Sequence, residues 1–218
     1  MSVVILVCTQ HAENGRCTSQ ELCEILERIK PEIIFEEMPP SFHDEYYKER
    51  SRSNLETNAI RIYSESHDVK HVPVDHYDVP SGFFEENERM HKRVEAISSD
   101  YRRLIDTHAM YVGMYGFRYL NSEYCSNLFD DLDSSIRAAL QRLDDKSLTQ
   151  IHISWTAIME RREYEMMKNI RIYSIEQKYD TGVFLIGAAH RKAIIQRIQN
   201  ENESAGVFWK ITNHDGLL

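Results

Sequence analysis

The chain has 218 residues, 42% of them hydrophobic, with 8 Gly and 5 Pro; this suffices for the core of one medium α/β domain and excludes collagen-like or linker composition. Its 26 Lys and Arg stand against 35 Asp and Glu, a net charge of −9 with no basic stripe, so it is a poor candidate for binding nucleic acid through phosphate contacts. No apolar run approaches the roughly 20 residues of a membrane-spanning helix, and the opening residues lack the basic start and long apolar stretch of a signal peptide. The four cysteines (Cys8, Cys17, Cys23, Cys125) form no C-x-x-C pair, and free thiols in a reducing cytoplasm are the expectation.

Residues 3–7, Val-Val-Ile-Leu-Val, form a continuous β-branched run, the pattern of a strand buried on both faces. A polar loop, residues 9–16, leads to a helix with Thr18 as N-cap and Glu21 placed to complete a capping box. Leu22, Ile25, Leu26 and Ile29 give that helix one apolar stripe, and Pro31 ends it. A second buried strand, Ile33-Ile34-Phe35, stops at Glu36-Glu37-Met38-Pro39-Pro40. A helix over residues 54–67 precedes a third strand over 69–74, which ends in Asp75-His76-Tyr77-Asp78.

From residue 83 to 172 no strand signal interrupts the chain, and three helices are predicted, over 85–111, 122–143 and 147–172. The α/β pattern then resumes with a strand at 183–186, the turn Gly187-Ala188-Ala189-His190, a helix carrying Ile194, Ile195 and Ile198, and a closing strand at 206–211. The predicted fold is α/β: a mostly parallel, mixed sheet of about five strands with helices on both faces, in a single domain over 1–218. The helical block 83–172 is read as an insertion, or cap, between the two halves of the sheet and over its strand C-terminal edge.

Ligands of open parallel sheets bind beyond the carboxyl ends of the strands. Four such ends carry polar groups here: His11, Glu36-Glu37, Asp75-His76 and His190. Two histidines with one or two carboxylates match the ligand set of a divalent metal that activates water, with a nearby Glu as general base. His43, His67, His71, His91, His108, His152 and His214 lack ligand-type spacing and are read as structural or surface groups. Tyr77 is placed beside Asp75 and His76 to touch a substrate, while Tyr111, Met114, Tyr115, Phe117 and Tyr119, around Gly113 and Gly116, either line a substrate cleft or form the packed corner of the helical cap, the packed corner being the preferred reading.

These residues resemble the TraB/Tiki superfamily, which includes erythromycin-esterase-like and ChaN-like proteins. The segment 4–11, ending Cys8-Thr9-Gln10-His11, is similar to its first G-x-x-H motif after a strand, and Phe184-Leu185-Ile186-Gly187-Ala188-Ala189-His190 to its second. Lys30-Pro31-Glu32-Ile33-Ile34-Phe35-Glu36-Glu37-Met38 resembles the K-P-D-x-V-x-x-E-L strand, with Glu37 at the acidic position. Arg162-Glu163-Tyr164-Glu165-Met166, 190 − 162 = 28 residues before His190, is similar to the R-[DN]-x-x-M helix. The resemblance implies a metal-dependent hydrolase of peptide or ester bonds, proteolytic in the Tiki branch. His11, Glu37 and His190 would hold Zn, Mn or Co, Glu37 and Arg162 would be catalytic, and Asp75, His76 and Tyr77 would contact a small-molecule or peptide substrate. The alternative is a non-catalytic ligand- or peptide-binding, regulatory protein on the same fold. Two departures stand out: Cys8 replaces the first motif's glycine, and Pro39-Pro40-Ser41-Phe42-His43 replaces the basic residue often found after the acidic strand end.

Overall fold

The computed structural model describes residues 2–76, 79–80, 82–200 and 206–212. Tyr77, Asp78 and His214 lie outside them. The elements are β1 (Val3–Thr9), α1 (Ser19–Ile29), β2 (Ile33–Glu36), a 3-10 turn (Pro40–Phe42), α2 (His43–Tyr47), α3 (Leu55–Ser64) and β3 (Lys70–Pro73). The helical block follows as α4 (Phe83–Ile97), α5 (Ser99–Tyr115), α6 (Phe117–Leu120), α7 (Glu123–Leu143) and α8 (Lys146–Glu176). The chain closes with β4 (Thr181–Gly187), a 3-10 turn (Ala188–His190), α9 (Arg191–Gln199) and β5 (Phe208–Ile211).

The strands form one sheet in the order β3-β2-β4-β1-β5, with helices around it. Every described pairing is parallel, so the sheet is not mixed as expected. The reason is that helices, not hairpin turns, separate successive described strands. The two halves of the chain meet in the middle of the sheet: β1 runs beside β4 in the register Val3↔Thr181 to Thr9↔Gly187. Val4, Leu6, Val7, Ile34, Phe35, Val183, Phe184 and Ile186 are all almost fully buried, as continuous apolar strands of a covered parallel sheet should be.

Helix starts follow the local chemistry. Thr18 Oγ1 accepts from the Glu21 amide at 3.1 Å, the N-cap bond expected. The reciprocal box forms at α3 instead, where the Asn54 side chain accepts from the Thr57 amide (2.8 Å) and the Thr57 hydroxyl accepts from the Asn54 amide (3.1 Å). The first predicted helix of the block is two helices, because Ser98 leaves the helical region and caps α5 through its hydroxyl, which accepts from Tyr101 N at 3.2 Å. The Pro40–Phe42 turn and α2 have no apolar periodicity, so no local pattern in the sequence marks them.

The block has a small core of its own, with Met90, Val94, Tyr101, Leu104, Leu128, Leu132, Ile136, Leu140, Leu148 and Ile151, whereas Val112, Phe117, Leu120, Met166, Met167 and Ile170 belong to the sheet's core. The 31-residue helix α8 therefore serves both. The loop after β1 is pressed against the end of α5: Gly15 adopts φ +54°, and a Cβ there would stand 2.3 Å from the Gly113 carbonyl oxygen. All four cysteines are free and buried, and no helix among the described residues is long and apolar enough to cross a membrane.

Asn121 joins the block to the sheet. Its side chain is fully buried, its Oδ1 accepts from Cys8 N at 2.7 Å, and its Nδ2 donates to Cys8 O at 2.9 Å. The β1–β5 ladder stops at Leu6↔Ile211, so this amide takes over hydrogen bonding where the neighbouring strand has ended. Asn121→Ala should cost about 2–5 kcal/mol, since it strands two buried backbone groups; chemical denaturation monitored by circular dichroism measures it.

Candidate active site

β2 delivers Glu36 and Glu37 to opposite sides, as alternation along an extended chain requires. Glu36 is buried and faces α2: the Tyr47 hydroxyl donates to one oxygen, and His71 Nδ1 lies 3.1 Å from the other. His43 joins this group, its Nε2 3.3 Å from His71 Nδ1. His71, and His43 through it, are thus linked to the Glu36 carboxylate.

Glu37 faces the other way. Its Oε2 accepts the Gly187 amide at 2.7 Å, and its Oε1 accepts from Arg162 Nη2 at 2.9 Å and lies 3.3 Å from His190 Nε2. Asp75 is carried alongside because the chain keeps to β2 past the end of β3, Val74 N donating to Glu36 O and Asp75 N to Met38 O. Arg162 grips Asp75 with Nε at 3.2 Å from both carboxylate oxygens and Nη2 at 2.7 Å from Oδ2. Asn169, two turns further along α8, donates to Val74 O at 2.8 Å and holds the helix against this strand end. Glu163, the residue after Arg162, reaches His190 Nδ1 at 2.7 Å.

The result is a buried lattice of three carboxylates against Arg162 and His190. Burial favours the neutral acid for Glu37, but His190, Arg162 and the Gly187 amide outweigh it and hold the carboxyl far below its usual range. Burial likewise opposes a charge on His190, yet Glu37 and Glu163 outweigh it and push its pKa up. The Arg162 guanidinium is also raised, with Asp75 and Glu37 overcoming its desolvation.

His11 lines the same region differently. Its backbone carbonyl accepts the first amide of α3, Leu55 N, at 2.9 Å. Its Nδ1 lies 3.1 Å from Oε1 of the buried Glu56, an oxygen that also accepts from the Thr9 hydroxyl at 2.8 Å. The Glu56 hydrogen bond raises the His11 pKa to about 9, although 65% of the ring's side-chain surface is open to solvent, which screens the pair. His11, Glu37, Asp75 and Arg162 share one cavity of about 450 Å³, with Phe42 and Tyr46 on its wall.

Glu37, Asp75, Arg162 and His190 therefore come into direct contact as one cluster, and His11 lines the cavity they share. His76 is exposed, its amide bonded to Asp75 Oδ1 at 2.8 Å. Glu56 and Glu163 were not foreseen; the signals available were a Glu in the first turn of α3, and the acidic residue beside Arg162 on α8.

The donor set does not fit a divalent cation in this arrangement. Among the described residues no group of three or more His, Cys, Asp or Glu side chains is disposed to hold a metal. Both His190 nitrogens face carboxylates, a guanidinium clasps Glu37, and His11 Nδ1 is turned to Glu56. No family model, curated protein or solved structure matches the chain.

Arg162→Met should destabilise the fold by about 3–5 kcal/mol, because Glu37 and Asp75 would be left as buried charges short of a partner. Adding Asp75→Asn should recover part of that loss, a non-additivity that urea unfolding of the single and double variants measures.

Proposed function

We propose that the chain is a hydrolase of ester or peptide bonds that works in the cavity lined by His11 and Arg162. What carries this reading is the Glu56–His11 pair at the side of a hollow that also holds the Arg162 guanidinium. Glu56 engages Nδ1 and so leaves Nε2 for a reacting water, which is the arrangement a general base requires. Nε2 takes a proton as the water oxygen bonds to the substrate carbonyl carbon. Arg162 supplies positive charge for the resulting oxyanion, and His11 returns the proton to the leaving alkoxide or amine as the scissile bond breaks. Glu37 and Asp75, both bound to the Arg162 guanidinium, orient it rather than react. The motifs that resemble those of the TraB/Tiki superfamily also point to hydrolysis, in a metal-dependent form.

A Zn, Mn or Co ion held by His11, Glu37 and His190 would require Arg162 to release Glu37 and His190 to lose its proton, and no step is assigned to one. Hydrolysis of ester and peptide substrates, assayed after chelation and again after loading with Zn²⁺, Mn²⁺ or Co²⁺, separates the cases. Activity is expected to survive chelation. Activity that appears only on loading would overturn the metal-free form, and saturable substrate binding without turnover in every arm would favour the ligand-binding alternative.

The pH profile tests the base. Only neutral His11 can accept a proton, and its pKa is raised, so kcat/KM should climb with pH and level off as the ring titrates, toward about 9. Glu56→Gln removes the cause of the shift and should move the inflection down toward the ordinary histidine value of about 6.5. His11→Ala should cost about 10²–10⁴ in kcat with little change in unfolding midpoint. A profile that falls through the same range would assign His11 the opposite role, a general acid.

A further inference from the structure

The corner where α5, α6 and α7 meet encloses a second hollow, of about 400 Å³, lined by Tyr111, Tyr115, Arg118, Tyr119, Ser122 and Tyr124. None of these residues lines the cavity of the candidate active site. Gly116 makes the corner, with φ +56° and ψ −136° between α5 and α6. The rings are built as a set. Tyr111 stacks near Tyr115 (centroids 5.7 Å) and Tyr119 (5.6 Å) and meets Tyr124 edge-on at 5.2 Å and 76°. Tyr119 is the fixed wall, buried and with its hydroxyl 3.0 Å from His108 Nδ1. Tyr115 and Tyr124 stand open, 46% and 54% exposed.

Charge selects the occupant. The chain carries 35 Asp and Glu, yet among the described residues no carboxylate lines this hollow, and Arg118 is the one charged residue that does. Glu21 feels the field of Arg118 but does not line the hollow either. Tyrosine faces favour a flat ring through offset or edge contacts. A guanidinium repels the ammonium ligands that aromatic cages otherwise take, and favours a carboxylate or phosphate. The volume falls within the range of small-ligand sites.

From this juxtaposition we infer that the α5–α7 corner is a binding site for a small planar aromatic anion, its ring among Tyr111, Tyr115 and Tyr124 and its acidic group on Arg118. The site is independent of the hydrolase reading. It extends the tyrosine cluster's role from cap packing to ligand recognition.

Calorimetric titration of the full chain with 1-naphthoate tests it, with neutral 1-naphthamide and benzyltrimethylammonium as comparators. Saturable 1:1 binding of naphthoate is expected, with Kd on the order of 1 mM or tighter for a ligand of this size. The amide should bind roughly tenfold more weakly, and the cation should not bind. Arg118→Gln should erase the preference for naphthoate over the amide, while Arg118→Lys should keep part of it; Tyr124→Ala should weaken both ligands. Arg118 and Tyr124 are exposed, and unchanged unfolding midpoints check that the variants fold. Absence of saturation by about 10 mM, or a preference that survives Arg118→Gln, overturns the proposal. Loss of naphthoate binding in His11→Ala with no loss in Arg118→Gln overturns it too, by moving the ligand to the other cavity. Competition by a tyrosine-containing peptide with affinity far above that of naphthoate would replace the small molecule by a protein partner.

Discussion

The buried carboxylate of Glu37 is the constraint on which the rest of the molecule depends. An ion taken out of water costs several kcal/mol unless hydrogen bonds and opposite charge offset it. Here the offset comes from three separate places: the last residue of β4, the turn after it, and the middle of α8. The second strand is therefore joined to the second half of the chain and to the helical block through one side chain. Glu37 and one of these partners, Arg162, also line the cavity. Stability and site geometry are consequently one problem at this point: a residue that loosens Arg162 or His190 disturbs both.

That economy accounts for the composition of the lattice. Arg162 alone could neutralise one carboxylate, but Asp75 sits on its other edge, so the guanidinium spans two anions with its flat fork. His190 is left to bridge Glu37 and Glu163, and its ring is charged because two carboxylates flank it. Arg197 Nε stands 3.9 Å from the remaining Glu163 oxygen, so the network continues into α9. A neutral imidazole with a free nitrogen is what a metal needs, and this lattice offers none at His190.

The parallel α/β plan was legible because strands buried on both faces must be continuous apolar runs, and residues 3–7, 33–35 and 183–186 are such runs. The order β3-β2-β4-β1-β5 was not legible, since neighbours in a parallel sheet are chosen by crossovers and packing at long range rather than by any local pattern. Glu37, Arg162, Asp75 and His190 were found because they lie at strand ends or in recognisable motifs, and the alternation rule separated Glu36 from Glu37. Glu56, Glu163 and Asn121 were hidden for a common reason. A Glu in a helix is ordinarily a solvated residue, and an Asn at a helix end is ordinarily a cap; only the fold reveals that each is turned inward. His43 and His71 were likewise separated by 28 positions and carried no signal that one carboxylate would collect them.

The two strand ends that resemble each other in sequence also solve one problem in two ways. In each, the first residue of the motif has a backbone amide directed at a buried side-chain acceptor: Cys8 at the Asn121 amide oxygen, Gly187 at the Glu37 carboxylate. Neither position uses a left-handed backbone, since Cys8 lies in β1 and Gly187 has φ −55°. The glycine is thus explained by space and not by conformation. A Cβ at Gly187 would stand 3.2 Å from Glu37 Oε2 and 3.8 Å from the His190 ring, and Glu37 is pinned from three sides and has little room to retreat. At Cys8 the acceptor is a neutral amide, and the thiol can be buried in the core, where burial pushes its pKa up to about 12. Cysteine at the first strand end is accordingly compatible with the fold, and the close approach of backbone to carboxylate falls at the second, beside Arg162 and His190, where the charge lies.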